Sequence, residues 1–481
     1  MNQLKRLRSG IAGLDTLLKG GFISGASYII QGRPGSGKTI LANQVGFSHV
    51  RDGGRVLFAT LLAEPHERLF QFLSTLSFFD ESRIGEEIQF VSAFDTLEND
   101  GLDEVVRLLR REITRQKSTV MIVDGLLNAR SRAESPIDTK KFISELQGHA
   151  AFAGCTVLFL TSSQLDEGSP EHTMVDGIIE MGEEPAGVRS VRWIKLRKTR
   201  GSGAISGAHE CEITRDGLVV YPRLESVFAR PSREETETVS LTGSGVPTLD
   251  TAIGGGLVAS SVTLVLGPSG VGKTSFGIQF LGACTPEEPA LHFGFFETPP
   301  RLRMKAAALG KDFKALEASG ALSIVHKPKS EGALDQLGFE LLHLVEERKI
   351  KRVFIDSLGG MARVAAAPSR LMAFFSTLME QLRAMGVTVM AAWETSTLLG
   401  RDSDVEVPQL SGVADNLLLI RFEDSVSELK RVLSILKVRD NEYDPSLMEL
   451  FIRSDGMQVA RLGQHKTVSS GDAAVQPLPG P

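Results

Sequence analysis

The chain repeats itself, and that repeat limits the folds open to it more than any other feature. Residues 9–39 read SGIAGLDTLLKGGFISGASYIIQGRPGSGKT and residues 244–274 read SGVPTLDTAIGGGLVASSVTLVLGPSGVGKT, an ungapped offset of 235 (244 − 9). Ser9/Ser244, Gly10/Gly245, Leu14/Leu249, Asp15/Asp250, Thr16/Thr251, Gly20/Gly255 and Gly21/Gly256 are shared, as is the glycine-rich segment that follows. Solenoid repeats run roughly 20–50 residues, so a period this long means a duplicated domain. Two domains also suit a chain of 481 residues. The charged, Pro-containing stretch 230–238 (RPSREETET) has no apolar periodicity and reads as a linker. The expected division is therefore a first domain over 1–229, a linker over 230–242, a second domain over 243–465, and a small-residue, Pro/Gly-rich tail over 466–481 that reads as disordered.

Within each copy, short apolar runs alternate with amphipathic stretches such as Phe374–Met385. The first copy's runs are Tyr28–Gln31, Val56–Thr60, Val120–Asp124, Val157–Thr161 and Ile178–Met181. The second copy's are Thr263–Leu266, Leu291–Phe295, Val353–Asp356, Val387–Ala392 and Leu417–Ile420. Strands that are apolar throughout, separated by helices, predict an α/β fold: a mostly parallel sheet with helices on both faces, twice in tandem.

Two segments fit G-x-x-x-x-G-K-[ST], and each follows an apolar strand and opens a helical run. They are Gly32-Arg-Pro-Gly35-Ser36-Gly37-Lys38-Thr39 and Gly267-Pro-Ser-Gly270-Val271-Gly272-Lys273-Thr274. The glycines let consecutive backbone N–H groups turn inward around a phosphate, the Lys reaches the β- and γ-oxygens, and the Thr hydroxyl binds Mg²⁺. ATP and Mg²⁺ are the expected cofactors. Asp124 and Asp356 end apolar strands and are placed to support the metal.

Late in each copy a Lys-x-Arg lies on an expected strand: Lys195-Leu-Arg197 and Lys437-Val-Arg439. Residues i and i+2 share a strand face, so each pair offers two cations side by side. Such a pair suits the γ-phosphate of a nucleotide held by a neighbouring subunit.

Taken together, the S-G-x-x-x-L-D…G-G opening, the phosphate loops, the strand-end Asp and the late Lys-x-Arg resemble the KaiC family of tandem RecA-like P-loop ATPases. Its best-known member is a bacterial clock ATPase and autokinase. The resemblance covers about residues 5–460. It implies a double-ring homohexamer with ATP at subunit interfaces, and Lys195/Arg197 and Lys437/Arg439 acting on the neighbour's nucleotide.

The departures bear on chemistry. The family carries a Glu-Glu pair after the second strand, the first Glu being the expected base for the attacking water. Anchored on the shared Arg-Leu downstream (Arg68-Leu69, Arg301-Leu302), both copies keep the second acid, Glu64 and Glu297, and replace the first by Ala63 and Phe296. A one-residue shift of the first copy would leave it no acid pair at all. Glu64 and Glu297 are then the candidates for orienting water. At the autokinase position Ser411 stands where the family has Ser, while Gly412 replaces the following Thr; Ser411 is the candidate phosphosite for a one-site reaction. Glu394, at the end of the Val387–Trp393 strand, is a further acid near the second site, where the first copy has Ser162.

Two other readings compete. A non-hydrolysing, ATP-gated scaffold presenting surfaces to a signalling partner would follow from the lost acids. A RecA-like DNA-dependent ATPase would need a basic DNA-binding loop, and 53 basic against 59 acidic residues (−6) give it no support. The basic run Arg192–Arg200 overlaps the proposed interface cations. Three scattered cysteines, Cys155, Cys211 and Cys284, suit neither a disulfide framework nor a zinc site. No apolar stretch is long enough to cross a membrane and the N-terminus has no apolar signal core, so a cytoplasmic protein is expected.

Overall fold

The computed structural model describes residues 4–63, 65–133, 135–162, 169–186, 189–228, 240–327, 332–395, 409–424 and 428–463. The chain separates into two compact units, Met1–Val227 and Phe228–Pro481. Most of the expected linker and the whole 466–481 tail lie outside the described residues. Leu241–Thr242, at the linker's end, form a short strand antiparallel to Leu257–Val258.

Among the described residues, each unit builds one nine-stranded sheet. In the first unit the strands are β1 (Ser27–Gly32), β2 (Val56–Thr60), β3 (Ile88–Ser92), β4 (Val120–Asp124), β5 (Thr156–Thr161), β6 (Gly177–Ala186), β7 (Arg189–Thr199), β8 (Ala208–Thr214) and β9 (Gly217–Tyr221), in the order β3-β2-β4-β5-β1-β6-β7-β8-β9. In the second they are β10 (Val262–Gly267), β11 (Ala290–Gly294), β12 (Leu322–His326), β13 (Arg352–Asp356), β14 (Thr388–Glu394), β15 (Asn416–Asp424), β16 (Leu429–Lys437), β17 (Met448–Arg453) and β18 (Gly456–Arg461), in the equivalent order β12-β11-β13-β14-β10-β15-β16-β17-β18. The first six strands of each order run parallel, and the last three add an antiparallel ribbon.

The apolar runs are continuous because both faces of each sheet are covered. Tyr28 and Ile30 of β1 point into one core of the first unit, with Phe58, Ile122 and Leu158. Ile29 points into the other, with Leu57, Met121 and Phe159. Burying both sets leaves no polar alternation for a strand to show.

The shared opening is a local hydrogen-bonded turn. Asp15 Oδ1 accepts from Ser9 N and Asp250 Oδ1 from Ser244 N, each at 2.8 Å. The Ser hydroxyls in turn accept from the backbone two residues on, at Ile11 and Val246. Short polar side chains placed this way tie down the segment that leads into the helix.

Candidate active site

The phosphate-loop strands β1 and β10 sit near the middle of their sheets, and the loops leave from their carboxyl ends, where open α/β sheets bind ligands. Helices Lys38–Arg51 and Lys273–Leu281 begin directly after the loops. Two positions explain the glycines. Gly37 and Gly272 are left-handed, with φ of 97° and 115°, at the residue before each helix. A Cβ on Gly32 would lie 2.2 Å from the Met181 carbonyl oxygen, and one on Gly267 would lie 2.3 Å from that of Ile420.

Both loop lysines fold back onto their own loops. Lys38 Nζ donates to the carbonyls of Gly32 (2.8 Å) and Arg33 (2.9 Å). Lys273 Nζ donates to those of Gly267 and Pro268, each at 2.6 Å. Burial lowers both ammonium pKa values, opposed by Asp124 at Lys38 and by Glu394 and then Asp356 at Lys273. An anion in the cradle would reverse that cost by charge pairing.

Thr39 Oγ1 donates to Asp124 Oδ2 at 3.3 Å, and Thr274 Oγ1 to Asp356 Oδ2 at 2.8 Å. Burial pushes the Asp356 carboxyl up, while the Thr274 hydroxyl and the Lys273 ammonium pull it down. A hydroxyl and a carboxylate per site are hard oxygen donors. They fit Mg²⁺, which takes one or two protein oxygens and completes its octahedron with phosphate and water. No cluster of three or more His, Cys, Asp or Glu able to hold a metal occurs among the described residues.

The acid positions differ from the alignment on Arg-Leu. Leu61 N donates to the Asp124 carbonyl and Phe295 N to the Asp356 carbonyl, so these two residues are equivalent across the repeat. Counting onward, Phe296 corresponds to Leu62 and Glu297 to Ala63. The first copy therefore has an acid at neither position of the pair, and Glu64 lies one residue beyond it, outside the described residues. In the second copy Glu297 pairs with Lys305, and the Arg363 guanidinium sits 5.4 Å from the centre of the Phe296 ring.

The cation pairs also differ. Lys437 ends β16 and pairs with Leu417, while Arg439 lies past the strand, so the two do not share a strand face. Lys437 Nζ donates to the carbonyls of Ser411 (3.1 Å) and Ala414 (2.7 Å). Its structural counterpart is Lys198, whose Nζ donates to those of His172 and Val175, each at 2.7 Å. Arg439 and Arg200 correspond likewise: their backbone N–H groups bond the carbonyls of Asp415 and Asp176. Lys195 stands opposite Glu180 on β6, and Arg197 Nε lies 2.5 Å from Glu180 Oε2. The late Lys-x-Arg of the first copy is thus Lys198-Thr-Arg200, the second of two such triplets in tandem.

The remaining site residues fall around the loops. Ser411 is half-buried in a short turn, Gln409–Gly412. A cleft of about 280 Å³ in the second unit is lined by Phe296, Ser357, Arg363 and Glu394 among others, Thr395 of its lining bonding the Gly267 carbonyl. In the first unit Thr39, Asp124, His66 and Ser162 share a cleft of about 220 Å³. Arg363 and His66 were invisible in the sequence, since neither belongs to a motif.

The KaiC ATPase family profile matches residues 7–225 and again 242–464. The circadian clock oscillator protein KaiC of Picosynechococcus sp. is 25% identical over 95% of this chain and 90% of its own length. In Synechocystis sp., the circadian clock oscillator protein KaiC 1 is 25% identical over 95% of this chain and 89% of its own. The circadian clock protein KaiC3 of the same organism is also 25% identical, over 95% and 92%. With one such domain matched in each compact unit, on the sheet order and phosphate loops described above, the chain belongs to the KaiC family of ATPases.

Proposed function

We propose that both domains bind ATP with Mg²⁺ and that the chain transfers the γ-phosphoryl group to water within a homohexameric ring. The observation that carries this is the repetition of one arrangement in both units: a loop lysine on two loop carbonyls, and a Thr hydroxyl on a strand-end Asp. On binding, Lys38 and Lys273 exchange their carbonyl partners for phosphate oxygens, and Thr39, Asp124, Thr274 and Asp356 hold the ion directly or through water. An ion held there would supply positive charge against the negative charge that develops on the phosphates. An apolar wall of Ile40, Leu69, Phe72 and Ile213 beside the first loop offers a surface for the base.

Cations from a neighbouring subunit fit the ring reading. Lys198 lies level with Ile178, which is level with Ile29 of β1, three residues short of Gly32. At about 3.3 Å per residue that is roughly 10 Å along the strand from the loop's start, and two strands across from it. Arg200 and Arg439 lie two residues further from their own loops, half-exposed and paired with Asp176 and Asp415, and from there would reach a nucleotide held next door; Lys195 and Arg197 are the alternative pair. Ser411 remains the candidate acceptor for autophosphorylation. Leu62, Ala63 and Phe296 favour a second reading, a slow or non-hydrolysing ATP-gated scaffold.

Equilibrium binding of a fluorescent ATP analogue tests the proposal, followed by γ-labelled ATP in the same samples. Two sites per chain are expected, one after Lys38→Ala or Lys273→Ala, and none in the double variant. Label on the protein that vanishes in Ser411→Ala would identify the phosphosite. Unchanged binding in the double variant would remove the nucleotide reading. Two bound ATP without phosphate release would leave the scaffold.

A further inference from the structure

We infer that Glu394 is the carboxylate that activates water in the second domain, so that the two nucleotide sites are unequal and the second is the hydrolytic one. This rests on the nucleotide reading above. Glu394 is the last residue of β14, at the carboxyl end of the strand beside the phosphate-loop strand, in register with Gly267, where the loop begins. Thr395 N donates to the Gly267 carbonyl at 3.1 Å, pinning the strand end there. That same carbonyl accepts from Lys273 Nζ at 2.6 Å.

The other acids are otherwise engaged. Asp356 accepts from Thr274, and Glu297 is paired with Lys305. Phe296 presents a ring, which accepts no proton. Among the described residues lining this cleft, Glu394 is the one carboxylate, and it is exposed. In the first domain the parallel register of Gln31 with Thr161 puts Ser162 at the equivalent position. A neutral hydroxyl there cannot hold a proton taken from water at neutral pH.

The water oxygen bonds to the γ-phosphorus while one of its protons passes to the Glu394 carboxylate. The bond from the γ-phosphorus to the β–γ bridging oxygen breaks, and its electron pair leaves on ADP. The proton then passes from Glu394 to the released phosphate or to solvent.

The test uses full-length protein carrying Lys38→Ala, so that only the second site contributes. Phosphate release and ATP-analogue affinity are measured for Glu394→Gln, Glu394→Asp and Glu297→Gln. Glu394→Gln is expected to lower kcat by about 10²–10⁴-fold, with affinity unchanged or tighter because a negative charge beside the phosphates is gone. Its pH–rate profile should lose the acidic limb, and Glu394→Asp should recover part of the rate. Full turnover in Glu394→Gln, or loss confined to Glu297→Gln, overturns the inference while leaving the nucleotide reading intact. ATP bound without turnover in the Lys38→Ala protein overturns the hydrolysis reading and the inference together. Failure to bind ATP overturns the nucleotide reading itself.

Discussion

Lys198 and Lys437 occupy one position of the repeat: each ammonium donates to two backbone carbonyls three residues apart, of His172 and Val175 in one domain and of Ser411 and Ala414 in the other. Each lysine thereby closes the turn that leads into β6 or β15, next to an Asp, Asp176 or Asp415, that accepts from the first residue of the phosphate-loop strand. The pair fixes where that strand starts, and so where its loop leaves the sheet.

Replacing either ammonium by an isosteric thioether leaves two carbonyls without their charged donor. Lys198→Met and Lys437→Met should each cost about 1–2 kcal/mol, whereas Lys195→Met should cost little. Denaturant unfolding of the three variants checks this, and equal loss in Lys195→Met would contradict the equivalence.

The central strands were legible because both of their faces are buried, which leaves apolar runs no polar interruption. The edge strands β3 and β12 were not, since most of their residues are only half-buried, and the ribbon strands β8, β9, β17 and β18 mix buried with half-buried or exposed positions. The loops and the strand-end Asp residues follow from local spacing, so the sequence sufficed. The Lys-x-Arg pairing did not. Two triplets stand in tandem at 195–200, and only the hydrogen bonds of Lys198 distinguish them. The acid positions failed for a similar reason: Arg-Leu lies on the following helix, while the strand register with Asp124 and Asp356 sets the true correspondence.

Acid should loosen the second domain through His292. Its ring is fully buried, both nitrogens lack hydrogen-bond partners, and burial with the nearby His326 pushes its pKa from 6.5 down to about 4. A depressed histidine pKa means that the unfolded chain takes the proton first. Stability is then full above about pH 6.5 and falls toward pH 4, by up to the order of 3 kcal/mol. Unfolding followed across that window should show the loss in wild type and a flatter profile in His292→Leu. Identical profiles would refute it.

The cysteines should be inert in the folded protein. Cys155, Cys211 and Cys284 are buried, and burial pushes the first two thiols up to about 12. Since the thiolate is the reactive form, a thiol-specific chromogenic reagent should label none of the three natively and all three in denaturant. Rapid native labelling would contradict the burial.

Removing the metal-supporting charge should uncouple ATP from Mg²⁺. In the Lys38→Ala protein, Asp356→Asn keeps a partner for the Thr274 hydroxyl but should weaken Mg²⁺ affinity about 10–100-fold. ATP affinity in chelator should change far less. Equal Mg²⁺ dependence in both proteins would exclude Asp356 from the metal site.

The most direct test of unequal sites is steady-state phosphate release from Lys38→Ala and Lys273→Ala proteins, each shown to retain ATP at its intact loop. Glu394 in the second domain and Ser162 in the first predict that Lys38→Ala keeps most of the wild-type turnover and Lys273→Ala loses it. Equal turnover in the two variants, or activity surviving only in Lys273→Ala, would contradict the account.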